Sequence, residues 1–326
     1  MATRGIFKEV KLPEQKCYEN GLVFPMVLSP NTNNTSDLNV FEEAIKAEKP
    51  WLESHLKERG VILFRGFKLE SPSDFNDVVE AFGFPELVYL GGRAPRTNVV
   101  GRVFTANESP PDETIPFHHE MSYMLNYPSK VFFFCDEEPE SGGETPILLS
   151  PILYDKMKEK HPKFVAKLEQ HGVTYGGVVG NEDNLSHGNG NSWKSIYMTN
   201  DKKVAEERAK KQGSRLEWME NGVKEITGPL PAIKVLHEES QKKSWFNNLT
   251  NSYLSRKKGI FFESTLGNGE GAPDDVMEDC LRIMEQECVV IPWKKGDVML
   301  INNLMVMHAR KPLIKPPRRV LAALCK

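Results

Sequence analysis

Short, β-rich apolar runs placed at both ends of a long helical stretch constrain this chain most. CVVIPW, DVMLINNLMVMHA and RRVLAALC lie near the C-terminus, and NVVGRVF, KVFFFC and TPILLS lie between Asn98 and Ser150. Runs of this length, punctuated by Pro, Gly, Asn and Asp and lacking a strand-helix-strand rhythm, predict an antiparallel barrel or sandwich. The late runs are expected to close on the early ones, across KKGD and the Pro-rich KPLIKPP. That pairing makes one domain over 1–326 the expectation, although 326 residues would also accommodate two.

The rest of the chain reads as additions to this β scaffold. Leu38–Arg59 has helical spacing, with Phe41, Ile45, Trp51 and Leu52 available for one face. GVILFRGF, from Gly60 to Phe67, reads as a core strand, and Ser73–Phe82 as a capped helix burying Phe75, Val78, Val79 and Phe82. Pro151–Glu169 is expected to be one helical stretch, Val204–Gln212 another, and Pro273–Cys288 a third with Val276, Cys280, Met284 and Cys288 in one stripe. The Pro- and Asn-rich segment 1–34 is expected to wrap the surface. NEDNLSHGNGNS, residues 181–192, is too poor in apolar groups to bury itself and is expected to be a flexible loop, with a lid over a site as one possible role.

Composition narrows the partners. Lys plus Arg number 42 against 45 Asp plus Glu, so there is no basic field for nucleic acid or an anionic membrane. Five scattered cysteines without a CxxC pair fit neither a disulfide framework nor a zinc ribbon, and point to a reducing compartment. MATRGIFKEVKLPEQK lacks the apolar run of a signal peptide, no stretch reaches membrane-span length, and the final Leu324-Cys325-Lys326 is not a peroxisomal tripeptide. The expectation is a cytoplasmic protein acting on a small molecule, with the oligomeric state left open.

Chemistry concentrates in PFHHEM, residues 116–121. On a strand, His118 and Glu120 share a face and can reach one metal, while His119 faces away and is expected to support the site from behind. A zinc-protease reading fails, because the position three after the glutamate is Tyr123 rather than histidine. The third ligand expected is His308, at the polar end of the apolar run Val298–Met307. Two histidines and one carboxylate leave three adjacent positions open on iron(II), room for a chelating co-substrate together with oxygen. A keto acid with a distant carboxylate would need an arginine fork, and Arg318 and Arg319 follow His308 by ten and eleven residues across a turn that can return one of them to the metal strand.

With GVILFRGF, FNDVVEAFGF, the H-x-E at His118 and Glu120, SGGETPI, and His308 followed by RR, the chain resembles the taurine dioxygenase (TauD/TfdA) family from about Gly60 onward, and most closely its clavaminate-synthase-like plant branch. The resemblance implies a mainly β fold with helical insertions on a double-stranded β-helix, or jelly-roll, core. It implies iron(II) held by His118, Glu120 and His308, and 2-oxoglutarate held by Arg319, with Arg318 as the alternative, and by Thr145. It further implies release of succinate and CO2 as O2 is used to hydroxylate, desaturate or cyclise a substrate. No catalytic residue beyond the metal ligands is implied.

Glu120, where most of the family has aspartate, matches the clavaminate-synthase branch and argues against halogenation, which needs a small residue there. Ala323 stands where taurine dioxygenase grips a sulfonate with arginine, so a taurine-like substrate is not expected. Substrate contacts stay unassigned; Arg96, Asn107, Glu108, Tyr123 and Asn247 are candidates near the entrance. Trp193, Trp218, Trp245 and Trp293 are expected to pack. Two other readings remain open here: a non-catalytic metal-binding jelly roll, and an iron dioxygenase that binds its substrate directly without 2-oxoglutarate.

Overall fold

A computed structural model describes residues 3–32, 35–106, 108–184, 190–237, 241–259 and 262–326. Its largest element is a nine-stranded sheet, ordered Thr3–Arg4, Phe7–Glu9, Met26–Pro30, Val61–Phe64, Val298–Asn302, Lys130–Glu137, Arg319–Cys325, Val103–Thr105, Asn98–Val100. Neighbours are antiparallel except Met26–Pro30 and Val61–Phe64. Parallel strands need a crossover, and helix Leu38–Arg59 supplies it. The expected pairing of late strands with early ones is present, for Lys130–Glu137 lies between Val298–Asn302 and Arg319–Cys325.

A second, three-stranded sheet is formed by Ile147–Leu149, Val306–Arg310 and Ile115–His118. Strand alternation shows how the layers stack. Val61, Leu63, Val131, Phe133, Met299, Ile301, Val320 and Ala322 share one core with Ile147, Leu149 and Val306 of the small sheet. The alternate residues, Ile62, Phe64, Phe132, Phe134, Val298, Leu300, Leu321 and Ala323, pack instead on Phe41, Ile45, Phe75 and Val78 of the two N-terminal helices. Behind the small sheet, Leu148, Met307 and Phe117 meet a third cluster from helices Ser150–Lys160, Pro162–His171, Leu249–Lys257 and Asp274–Glu287.

Several expectations need correction. Segment 1–34 does more than wrap the surface: Phe7, Met26, Val27 and Leu28 are fully buried and three of its strands extend the large sheet. The stretch Pro151–Glu169 is two helices broken at His161, because Pro162 has no N–H to donate and disfavours helical geometry in the residue before it. CVVIPW contributes only an isolated bridge, Val289 to Ile147. The helical middle also contains a four-stranded sheet, Ser214–Met219, Gly222–Leu230, Val173–Gly180 and Phe262–Leu266, which had no counterpart among the expected elements. Of loop 181–192, residues 185–189 lie outside the described residues. No described helix is long and apolar enough to cross a membrane.

The most consequential correction concerns Val298–Met307. It is not one strand but two, Val298–Asn302 in the large sheet and Val306–Arg310 in the small one. Asn302 makes the corner, its side-chain oxygen accepting from Leu304 N and its carbonyl from Met305 N. The corner carries His308 from the large sheet to the small one, opposite His118.

Candidate metal centre

His118 and His308 are directly paired across the small sheet, with ring centroids 4.3 Å apart. The strand bearing His118 ends there, so Glu120 is not aimed by strand alternation as expected. Asn303, fully buried at the corner described above, sets its position. Its side-chain oxygen accepts from Glu120 N at 2.8 Å, and its amide donates to Glu120 O at 2.9 Å and to Pro128 O at 2.8 Å. The chain then turns at Met121, whose φ is +56°. One ligand atom from each of His118, Glu120 and His308 lies within 4.8 Å of the others.

The histidines are prepared to donate lone pairs. His118 Nδ1 is 2.8 Å from Pro116 O; a carbonyl can only accept, so the proton belongs on Nδ1 and Nε2 is left free. His308 Nε2 faces Glu120 Oε2 at 3.9 Å, while its Nδ1 is buried without a partner among the described residues. Burial first, then the neighbouring His118, His119 and Arg96, hold the His308 pKa well below its ordinary value, so its ring is neutral at pH 7. This donor set, two imidazoles and a carboxylate converging on one cavity, suits a divalent first-row metal with open positions.

His119 turns away, as expected. Its ring nitrogens meet Asn303 O and Trp245 O, with Ser150 Oγ 2.7 Å from Nε2, and burial pushes its pKa down to about 4. It therefore ties the corner at Asn303 to the helical layer.

The three ligands open on a cavity of about 460 Å³, counting its mouth, that is also lined by Arg96, Phe133, Thr145, Arg310, Arg318 and Val320. Here the arginine register differs from expectation. Val320 and Ala322 face the core between the sheets, so Arg318 shares their side and lines the cavity. Arg319 has the opposite parity: it pairs with Asp136 at 2.7 Å, its side chain is 43% exposed, and it does not line the cavity. A bulge between Cys135 and Glu137 in the partner strand accompanies this register. Ala323, of the same parity as Arg319, faces the helices and cannot mark a substrate position in the cavity.

Arg318 and Thr145 are each held by one specific contact. Arg318 Nε donates to Gly143 O at 2.6 Å, and Gly143 has φ +69° with space for no side chain, since a Cβ would fall 2.5 Å from Arg318 Cδ. Thr145 Oγ1 accepts from Trp293 Nε1 at 3.1 Å, which leaves its O–H to donate into the cavity. Burial and nearby Arg310 lower the Arg318 pKa to about 10. Arg310 itself donates to the carbonyls of Ser109, Pro110 and Glu113. Three guanidiniums, of Arg96, Arg310 and Arg318, and one carboxylate thus line the cavity.

Of the other candidates, Arg96 lines the cavity and pairs with Glu120. Tyr123 is occupied in accepting from Arg93 N, Glu108 accepts from Thr97 and Thr105, and Asn247 bonds Ala232 O and Leu249 N; none lines the cavity. Asn107 lies outside the described residues. Trp193, Trp245 and Trp293 are buried, and Trp218 packs edge-on against Trp193. Asn303 and Arg310 had no assigned role beforehand, and Trp293, expected only to pack, also donates to Thr145. The pair Asn302-Asn303 inside an apolar run signals a turn, and Arg310 stands two residues after His308, on the same strand face. A larger hollow of about 630 Å³, between Leu249–Lys257, Phe262–Leu266 and Asp274–Glu287, contains no such ligand group among the described residues.

Comparison with known proteins places these features in context. The family model described as taurine catabolism dioxygenase TauD, TfdA family matches residues 25–325. A clavaminate synthase-like protein of Arabidopsis thaliana is 51% identical over 326 residues, covering 98% of each chain. Among solved structures, PvcB, described as an Fe, alpha-ketoglutarate dependent oxygenase from an isonitrile synthetic pathway, aligns with a TM-score of 0.53 at 14% identity over all of this chain and 93% of that one. AAD-2, in complex with Mn(II) and N-oxalylglycine, aligns with a TM-score of 0.54 at 13% identity, covering 98% of this chain and 97% of that one.

Proposed function

Since the chain belongs to the taurine catabolism dioxygenase TauD, TfdA family, we propose that His118, Glu120 and His308 hold iron(II) and that Arg318 and Thr145 bind the distal carboxylate of 2-oxoglutarate. The protein is then a non-haem iron(II)- and 2-oxoglutarate-dependent oxidoreductase acting on a small organic substrate. The facing large and small sheets are read as its jelly-roll core. The observation that carries the reading is the convergence of two imidazoles and a carboxylate in one cavity with a half-buried guanidinium, Arg318, that makes no ion pair among the described residues.

When bound, the metal supplies oxygen activation coupled to decarboxylation of the keto acid to succinate and CO2, with hydroxylation, desaturation or ring closure of the substrate as the outcome. The side chains orient the reactants. Pro116 O fixes the tautomer of His118, Asn303 fixes the backbone of Glu120, and Gly143 and Trp293 aim Arg318 and Thr145. Phe133 and Val320 give the wall apolar surface that restricts water.

The test is an anaerobic titration of apoprotein with iron(II) and then 2-oxoglutarate, followed by visible spectroscopy. A charge-transfer band in the wild type that is absent from His308→Ala is the expected result. Bound iron without a band on adding 2-oxoglutarate would refute the co-substrate assignment and favour direct binding of substrate.

A further inference from the structure

Glu120 is shared between two demands. Its Oε2 faces His308 Nε2 at 3.9 Å, on the side where the three ligands converge, while its Oε1 is held by Arg96 Nη2 at 2.9 Å. Both side chains of this pair are only 7% exposed. A buried ion pair is a poor source of net stability, because two desolvated charges recover little more than they lose. Nor is this one built as a staple: Arg96 Nε is buried without a partner among the described residues. Its guanidinium instead stacks on Tyr89, 4.6 Å from the ring centroid, and lies in the cavity wall.

The segment behind Arg96 is anchored independently of the metal ligands. Asn191 donates from its side chain to Gly92 O and Ala94 O and from its backbone to Arg93 O, and Arg93 pairs with buried Glu225. Arg96 thus reaches Glu120 from a fixed base, and the carboxylate cannot rotate both oxygens toward the histidines without leaving it.

Resting on the metal-centre reading above, we propose that Arg96 is a positioning residue that holds back one oxygen of Glu120, so that this carboxylate ligates through a single oxygen. The consequence is a matter of counting. A six-coordinate metal with three protein donors keeps three positions, two for a chelating keto acid and one for oxygen. A two-oxygen Glu120 would take a fourth position and leave only the pair the keto acid needs. Outer groups that orient a metal-ligating carboxylate commonly act in this way.

The experiment loads the full chain with Mn(II) and counts exchangeable waters on the metal by electron paramagnetic resonance line broadening in oxygen-17 water. Wild type should carry three waters and Arg96→Met two, with Mn(II) bound at least as tightly in the variant, since a repelling cation is gone and a donor oxygen is gained. Three waters in Arg96→Met, or weaker Mn(II) binding with an unchanged count, would overturn the proposal and leave Arg96 a structural residue. If the methionine variant does not fold, Arg96→Gln carries the same expectation, because a neutral amide cannot hold a carboxylate against a divalent metal. Mn(II) retained in full by His308→Ala would instead sink the metal-centre reading itself.

Discussion

Replacing Arg318 with methionine removes a guanidinium that stands on Gly143 O, faces the cavity, and makes no ion pair among the described residues. A bound dicarboxylate would leave its distal carboxylate buried opposite an apolar chain. Truncating one partner of a buried, hydrogen-bonded charge pair costs about 2–4 kcal/mol, so the Kd for 2-oxoglutarate should rise about 30- to 1,000-fold. Arg319→Met is the control that makes the number meaningful. Arg319 sits one position along the same strand, but its partner is Asp136 and its side chain is 43% exposed, so the lost ion pair is worth about 0–1 kcal/mol of stability. Its effect on co-substrate binding should stay within about threefold. Anaerobic calorimetric titration of the two Mn(II)-loaded variants with 2-oxoglutarate measures both. A large loss in Arg319→Met with little in Arg318→Met would mean that the last strand is one residue out of register, with Arg319 rather than Arg318 facing the cavity.

Three further outcomes test the supports of the site. Asn303→Ala leaves the buried N–H and carbonyl of Glu120 and the Pro128 carbonyl without their partner, and should lower unfolding free energy by about 2–4 kcal/mol in urea; a loss below about 1 kcal/mol would deny Asn303 its clamping role. Gly143→Ala forces a Cβ to 2.5 Å from Arg318 Cδ at φ +69°, with a local backbone cost of roughly 1–2 kcal/mol; weakened 2-oxoglutarate binding is expected, and unaltered affinity would show that Arg318 is not positioned from this turn. His119 is kept neutral in the fold, its pKa pushed down to about 4 by burial, whereas the unfolded ring titrates near 6.5. The unfolded chain therefore binds the extra proton, so this contribution is intact above pH 6.5 and diminishes by up to about 3 kcal/mol as the pH falls to 4. Comparing apoprotein stability with that of His119→Gln across this range isolates the slope, and identical slopes would exclude His119 as its source.

The convergence of His118, Glu120 and His308 was legible from sequence because it rests on residue type and rough placement: two histidines and a carboxylate are few enough, and chemically distinctive enough, that bringing them together needs only the correct pairing of late and early strands. The arginine was harder for a different reason. Neighbouring strand positions face opposite sides, so an error of one residue moves a side chain from the cavity to the exterior, and the chain between His308 and Arg318 contains a turn whose length does not fix that parity. What decides it is the packing of Val320 and Ala322 between the sheets and the bulge at Asp136 opposite, neither of which has a local signal. Glu120 illustrates the converse. The H-x-E spacing suggested a shared strand face, yet the strand stops at His118, and Asn303 holds the Glu120 backbone while Arg96 holds its carboxylate, both distant in sequence. The three residues were thus grouped through a local geometry the protein does not use, because their convergence is reached from strand pairing at two positions and from tertiary hydrogen bonds at the third. It follows that the residues most informative about the reaction are those that hold the ligands and co-substrate in register, Asn303, Arg96 and Gly143, whose roles exist only once the two sheets face each other.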